Sequence, residues 1–256
     1  KAKMKLFVVA LACLLGCALA VPVKQPVEAS AVKTPNFATF AVVNRTSPEP
    51  EFCKACIEVA VEMINYLLNY ILNVGVVGGC TDLCHKALHQ KAEVIVCEAA
   101  CEAIGIDEFI KWLTHGAGPD PIWYCELAKM CTVHDCVGDC LDIDSLDALP
   151  KKAPIGTQIG VTGQFTVKNE TGTGMTRMTL FFPESAKQMP SQQDVLDTGF
   201  KPGTYGVNIG IDTTQFGDFT GDYTLELEFC EGMCGGVHHS RMFSAKNVTF
   251  TVTPKQ

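Results

Sequence analysis

Positive charge is scarce in this sequence. Its 256 residues carry 20 Lys and Arg against 28 Asp and Glu, a formal net charge of −8. That balance argues against a general nucleic-acid binder, which tracks phosphates with clustered Lys and Arg. Two catalytic signatures are missing as well. Neither G-x-S-x-G, which presents a serine nucleophile on a strand-to-helix turn, nor H-E-x-x-H, a zinc-ligand pair on one helix face, occurs. Beyond the first twenty residues no run of 18 or more apolar residues exists, so the mature chain is expected to be soluble.

Cysteine, by contrast, is abundant, with 14 residues. A reducing cytosol makes so much cysteine uncommon outside metal sites. With 47% apolar and 19% charged residues, the chain is neither disordered nor fibrous, and its length suggests two domains. Together these describe an acidic, disulfide-stapled protein that is secreted or held in a lumen, including that of an acidic organelle.

Residues 1–20 are expected to be a signal peptide, with Met4 read as the start. Lys5 precedes Leu6 to Leu19, apolar apart from the small Gly16, and Ala18-Leu19-Ala20 offers a cleavage site. Cleavage would remove Cys13 and Cys17, leaving 12 cysteines, and three lysines, leaving a charge of −11. In that setting the sequons at Asn44, Asn169 and Asn247 become N-glycan candidates, which would place them on the surface.

The texture of the chain changes twice. Residues 21–50 hold five prolines and few large apolar residues, and read as an extended leader. Residues 51–140 read as a helical domain, because Ile57, Val61, Ile64, Leu68 and Ile71 repeat at helical spacing. Thr46 or Ser47 can cap its first helix, with Pro48 in the first turn; Asp120-Pro121 can start its last. Residues 141–154 read as a linker. Residues 155–256 read as an antiparallel β-sandwich of the immunoglobulin-like kind, because Thr224 to Phe229 and Val248 to Val252 alternate between Gly, Asn and Asp clusters.

Cysteine spacing adds geometry. Cys80 and Cys84 stack on one face of a helix, as do Cys97 and Cys101 one helix later. In an antiparallel hairpin, residues with equal index sums lie opposite, and Cys84 with Cys97 shares its sum with Cys80 and Cys101. Cys56 with Cys125 has the same sum and Cys53 with Cys131 nearly so, as for a first and a last helix clamped antiparallel. Half of a zinc site is the other reading of Cys53-x2-Cys56, but it needs a second ligand pair, so no metal or cofactor is expected. Cys136 and Cys140, and Cys230 and Cys234, either close small loops on themselves, the favoured reading, or join the two domains.

This order of C-x2-C, crosslinked hairpin and C-x5-C resembles the saposin-like family of small helical domains, saposin B-type. The resemblance implies pairing of the first cysteine with the last, the second with the next-to-last, and the third with the fourth: Cys53–Cys131, Cys56–Cys125 and Cys84–Cys97. The Cys80–Cys101 pair departs from the simplest pattern. More narrowly, Gly79 to Cys84, Cys97 to Cys101, Gly105 to Ile110 and Asp120 to Cys125 resemble the countin family of secreted saposin-B-type proteins. His134-Asp135-Cys136, Gly172-Thr173-Gly174, Pro202 to Gly206 and Cys230 to Cys234 extend that likeness. It implies a part in a secreted complex that sets cell-group size in social amoebae.

The apolar supply of the helical stretch exceeds what a thin helical layer needs. Val61, Ile64, Leu68, Ile71, Phe109, Ile110, Trp112 and Leu113 are therefore candidates to face membrane lipid, or a second copy in a homodimer, if the layer opens. Lipid binding is also what the saposin-like resemblance implies. Residues 51–142 hold 5 Lys, no Arg and 14 Asp plus Glu, a charge of −9, so lysis of anionic membranes at neutral pH is not expected. Acid would remove carboxylate charge, and His85, His89, His115 and His134 would gain it, so acid is expected to ease opening and lipid contact. Glu226 and Glu228 read as a solvated strand face and His238-His239 as a loop.

Three functions stand at this point. The first is a secreted glycoprotein that binds or perturbs membrane lipid without catalysis of its own. The second is an extracellular signalling or adhesion subunit of the countin type, working in a hetero-complex. The third and last is a lipid-processing enzyme, disfavoured because such hydrolases append a much larger catalytic domain.

Overall fold

The structure is a computed structural model that describes residues 37–43, 51–75, 78–115, 120–236 and 240–255. The expected signal peptide, most of the leader, Asn44, the Thr46–Pro48 cap, the His115 side chain and His238-His239 lie outside the described residues.

Helix α1 (Glu51–Val74) buries Cys53, Cys56, Ile57, Ala60, Met63, Ile64 and Leu67, a stripe at helical spacing. It stops at Gly75, whose φ of +83° few other residues adopt and whose N–H donates to Ile71 O at 3.0 Å. Helices α2 (Cys80–Ala87) and α3 (Lys91–Ile104) form the crosslinked hairpin. A reciprocal Gln90–Glu93 capping box begins α3. Helix α4 (Ile106–His115) turns Phe109 and Leu113 inward. Helix α5 (Pro121–Leu127) is capped by Asp120, whose carboxylate accepts from Ile122 N at 3.0 Å and Trp123 N at 3.1 Å. Phe109 meets Tyr124 edge-on, with ring centroids 5.5 Å apart.

Six disulfides staple the described residues. Cys53–Cys131 and Cys56–Cys125 tie α1 to α5 and the segment after it, and Cys80–Cys101 and Cys84–Cys97 form two rungs between α2 and α3. Cys136–Cys140 and Cys230–Cys234 each close a local loop, and neither joins the helical and β parts.

Among the described residues, nine strands make two sheets. Strand β1 (Ala38–Val43) comes before the helices. After them come β2 (Leu141–Leu149), β3 (Lys152–Pro154), β4 (Gln158–Val167), β5 (Gly174–Phe181), β6 (Ser191–Asp197), β7 (Gly203–Asp212), β8 (Gly221–Glu231) and β9 (Arg241–Thr253). One sheet has the order β1-β7-β4-β2 and the other β3-β9-β8-β5-β6; β3 and β9 run parallel, and the other described strand pairs are antiparallel. Inward residues of both sheets share one core, where Phe165 contacts Phe200, Tyr205 and Phe229. Tyr205 and Tyr223 each donate a hydroxyl to the carbonyl four residues upstream, Lys201 O and Phe219 O, both at 2.9 Å. Each bond ties down the loop that enters the tyrosine's own strand, in the manner of a tyrosine corner.

Two boundaries differ from the sequence expectation. Residues 141–154 are no linker: β2 pairs with β4 and β3 with β9. Alternation in β2 buries Leu141, Ile143, Leu146 and Ala148, and a bulge between Ile143 and Ser145 interrupts the period. Nor is all of 21–50 a leader. Residues 38–43 pair antiparallel with β7, from Ala38 opposite Ile211 to Val43 opposite Gly206. The helices are thus an insertion between the two edge strands of one sheet, and the β domain does not begin at residue 155. A fragment of residues 155–255 leaves β4, β7 and β9 each without one partner. We predict that it shows no cooperative thermal melt by circular dichroism, whereas the intact chain does; a sharp melt would show β1, β2 and β3 to be dispensable.

Candidate functional site

Three short motifs far apart in sequence meet where the helices join the β part. They are His134-Asp135-Cys136, Gly172-Thr173-Gly174 and Cys230 to Cys234. Thr173 N donates to Thr132 O at 3.0 Å, and the Thr173 hydroxyl lies 3.8 Å from Cys53 Sγ. A Cβ on Gly172 would stand 2.7 Å from His134 N, and one on Gly174 would overlap the Cys230 carbonyl, so both positions require glycine. Arg241 donates to Cys136 O at 2.9 Å and Gly138 O at 2.6 Å, and Cys136 N donates to Glu231 Oε1 at 3.4 Å. Met175, Leu196 and Met233, all from the β part, pack on the helical core.

Carboxylates crowd this junction. Asp120, Glu126 and Glu231 are buried and Asp135 is exposed at its rim. Burial first, then the charges of Asp120, Glu231 and Asp135, push the Glu126 carboxyl up to about 8. Glu126 Oε2 is buried and finds no hydrogen-bond partner among the described residues. Glu231 is also raised, chiefly by burial, with N–H donation from Cys136 and Gly172 and the Arg241 charge working the other way. Burial and Asp120 raise the Tyr124 hydroxyl too. Near neutral pH, Glu126 therefore holds a proton in the folded chain. No group of three or more His, Cys, Asp or Glu among the described residues is arranged to hold a metal ion.

The lipid-facing candidates do not share one surface. Ile64, Phe109 and Leu113 are core residues, because α1 and α4 turn those positions onto the other helices and Tyr124. Leu68, Ile71, Ile110 and Trp112 are half-buried against the same core, and Val61 is exposed. The apolar side chains most open to solvent on α1 are instead Phe52, 83% exposed, and Leu72, 78% exposed. Residues 52–74 are long and apolar enough to cross a membrane by length and composition, with a mean hydropathy of 1.4 and one third buried. Asn169 and Asn247 are exposed, whereas Thr171 of the Asn169 sequon is buried and accepts from Phe200 N at 2.9 Å. Glu226 and Glu228 lie half-exposed on the outer face of β8.

Sequence reasoning missed Glu126 and Glu231 because nothing local marks either. The available signal was three of the short Gly- and Cys-rich motifs, which converge here. The junction also opposes the expectation that acid loosens the helical layer. Unfolded, Glu126 titrates near 4.5; folded, near 8. Between those values the folded chain keeps a proton that the unfolded chain has released, so this group's contribution to stability falls as pH rises through that window.

Both halves of the chain match family models: the countin N-terminal domain over residues 51–129 and the countin C-terminal domain over residues 141–256. Countin-3 of Dictyostelium discoideum is 30% identical over 218 residues, covering 84% of this chain and 95% of that protein. Countin-1 of the same organism is 30% identical over 220 residues, covering 84% and 83%. Among solved structures, an alkylpurine DNA glycosylase of Pseudomonas fluorescens aligns over 68% of this chain and 52% of its own, at 11% identity and a TM-score of 0.38. That likeness is too slight to bear on function.

We predict that the melting temperature of the intact protein is several degrees higher at pH 5 than at pH 8, and that Glu126→Gln flattens this dependence. A chain of this size shifts about 2–4 °C per kcal/mol. Equal pH profiles for the two proteins would show that Glu126 does not carry the effect.

Proposed function

The chain belongs to the countin family, and from that premise we propose that it is a secreted, non-catalytic signalling or adhesion subunit that acts through protein assembly. One observation supports the assembly reading over a free lipid carrier: the helical part is locked against the β part through Gly172, Thr173 and Arg241. A layer held in this way presents a fixed surface and resists the opening that uptake of lipid tails requires. The six disulfides suit an oxidising compartment. We read the helical part as saposin-like, on its crosslink pattern. The β part we read as an immunoglobulin-like sandwich, on its two packed sheets and its two tyrosine corners. Asn169 and Asn247, both exposed, are read as glycan sites.

Peripheral membrane-lipid contact is the second reading, favoured by the exposed Phe52 and Leu72 on α1. It needs no opening, since exposed side chains can enter a bilayer surface directly; burying each contributes roughly 1.5–3 kcal/mol.

One experiment separates the two. The tagged chain, recovered from culture medium under native conditions, is expected to elute above its monomer mass with the same partner chains in each preparation. It is expected not to float with neutral or anionic liposomes at pH 7 or pH 5. A monomer that floats would replace the assembly reading with the lipid one.

A further inference from the structure

The outer face of the four-stranded sheet carries a recess of about 370 Å³, well away from the helices in its residues and chemistry. Two glycines form its floor. Gly160 of β4 and Gly210 of β7 are cross-strand partners in the middle of the sheet. Thr39 of β1 lies beside Gly210, and Leu149 of β2 beside Gly160.

Neither glycine is required by the backbone. Neither has a positive φ, and a Cβ on Gly160 would meet only Leu149 O, at an ordinary 3.5 Å. Glycine weakens a strand interior, and where no bulge or turn needs it, it commonly marks a place another molecule approaches. Gly163, on the opposite face, shows the contrast: there a Cβ would run into the Ser145 carbonyl. At the recess, polar atoms lean over the floor instead. The Thr39 hydroxyl and the Gln158 amide nitrogen lie 2.7 and 3.1 Å from where a Cβ on residue 210 would stand. Asn208 and Thr162, opposite each other across β7 and β4, complete the wall.

The lining carries no charge, in a chain with a net charge of −8. Without a cation it has no hold on phosphate or sulfate, and without an anion none on an amine. Of the outward side chains that line it, Thr39, Gln158, Thr162 and Asn208 are hydroxyls and amides and Ala41 alone is apolar, so a lipid tail laid there would leave four polar groups without partners. An added peptide strand is excluded too, because β4 and β7 are flanked on both sides and spend their backbone groups within the sheet. What remains is a ligand that is neutral, shallow and dense in hydroxyls, with a flat CH face to rest on the glycine floor. Amides and hydroxyls each both donate and accept, as recognition of such a ligand requires. The recess volume falls in the usual range for small-ligand sites, about 300–1,000 Å³.

We propose that Gly160 and Gly210, with Thr39, Gln158, Thr162 and Asn208, form a binding site for a neutral saccharide. The site does not depend on the assembly reading. To test it, the intact protein is titrated with neutral oligomers of glucose, mannose, galactose and N-acetylglucosamine, by saturation-transfer NMR and calorimetry. At least one should bind saturably. Gly160→Val, which fills the floor with a residue strands favour, should weaken binding about tenfold or more. Asn208→Ala should weaken it about three- to tenfold, the effect of one lost hydrogen bond. Both variants should keep the parent circular dichroism spectrum, and should Gly160→Val fail to fold, Thr162→Ala takes its place. Failure of every neutral oligomer to bind would overturn the proposal. So would binding that survives both substitutions, or a sulfated polysaccharide that binds more tightly at the same residues.

Discussion

The organisation of the whole chain depends on one close backbone approach. The segment after the Cys53–Cys131 disulfide crosses Gly172 so closely that a single Cβ at that position would strike His134 N. Thr173 then bonds to Thr132 on one side and reaches the Cys53 sulfur on the other. Contacts of this kind do not adapt: they depend on the absence of side chains and on the exact path of the backbone. They convert a helical module and a β module into one body, and they bury Glu126 and Glu231, which a freely hinged pair of domains would leave in water. The raised carboxyls are a consequence of the docking, and a measure of how closed it is.

Much of this was legible in residue order, for reasons of period. Helical repeats at three and four residues placed α1, and the index sums of the eight helical cysteines followed from antiparallel packing. Alternation placed β8 and β9. What stayed hidden is non-local. Strand β1 lies among prolines, and its partner β7 is more than 160 residues away, so nothing nearby reveals the pairing. Strand β2 reads as acidic linker because its solvent face is aspartate and a bulge shifts its buried face midway. The lipid candidates are a different case. Where a helix is apolar on most sides, its period shows that a face exists without showing which face the neighbours cover. Hence Ile64 and Phe109 are core, whereas Phe52 and Leu72 are surface.

The insertion of the helices between β1 and β2 has a mechanical meaning. These strands are the two edges of one sheet, so the chain enters and leaves the helical part at opposite sides of that sheet. Gln193 of β6 extends the closure, exchanging hydrogen bonds with both backbone groups of Ala38 and joining the edge of one sheet to the edge of the other. At the far edge, Lys246 and Ser244 of β9 reach across to the backbone of β2 at its bulge. Side chains thus satisfy backbone groups at both corners of the sandwich, where an open edge would recruit another strand. Assembly through this protein is therefore better served by faces than by edges.

The faces divide accordingly. The residues that meet the helical part come from β5, β6, β8 and β9, the loop between β8 and β9, and the loop that leads from β4 into β5. The recess lies on the outer face of the four-stranded sheet, in β1, β4 and β7. Because β1 comes from the segment before the helices, the recess forms only when strands from both sides of the helical insertion have found the same sheet. A saccharide there would bind N but not U and so favour the closed topology. It would do so without touching the acidic junction, whose own equilibrium responds to protons. Two inputs of unrelated chemistry, a neutral ligand and pH, would then act on one body held together at Gly172.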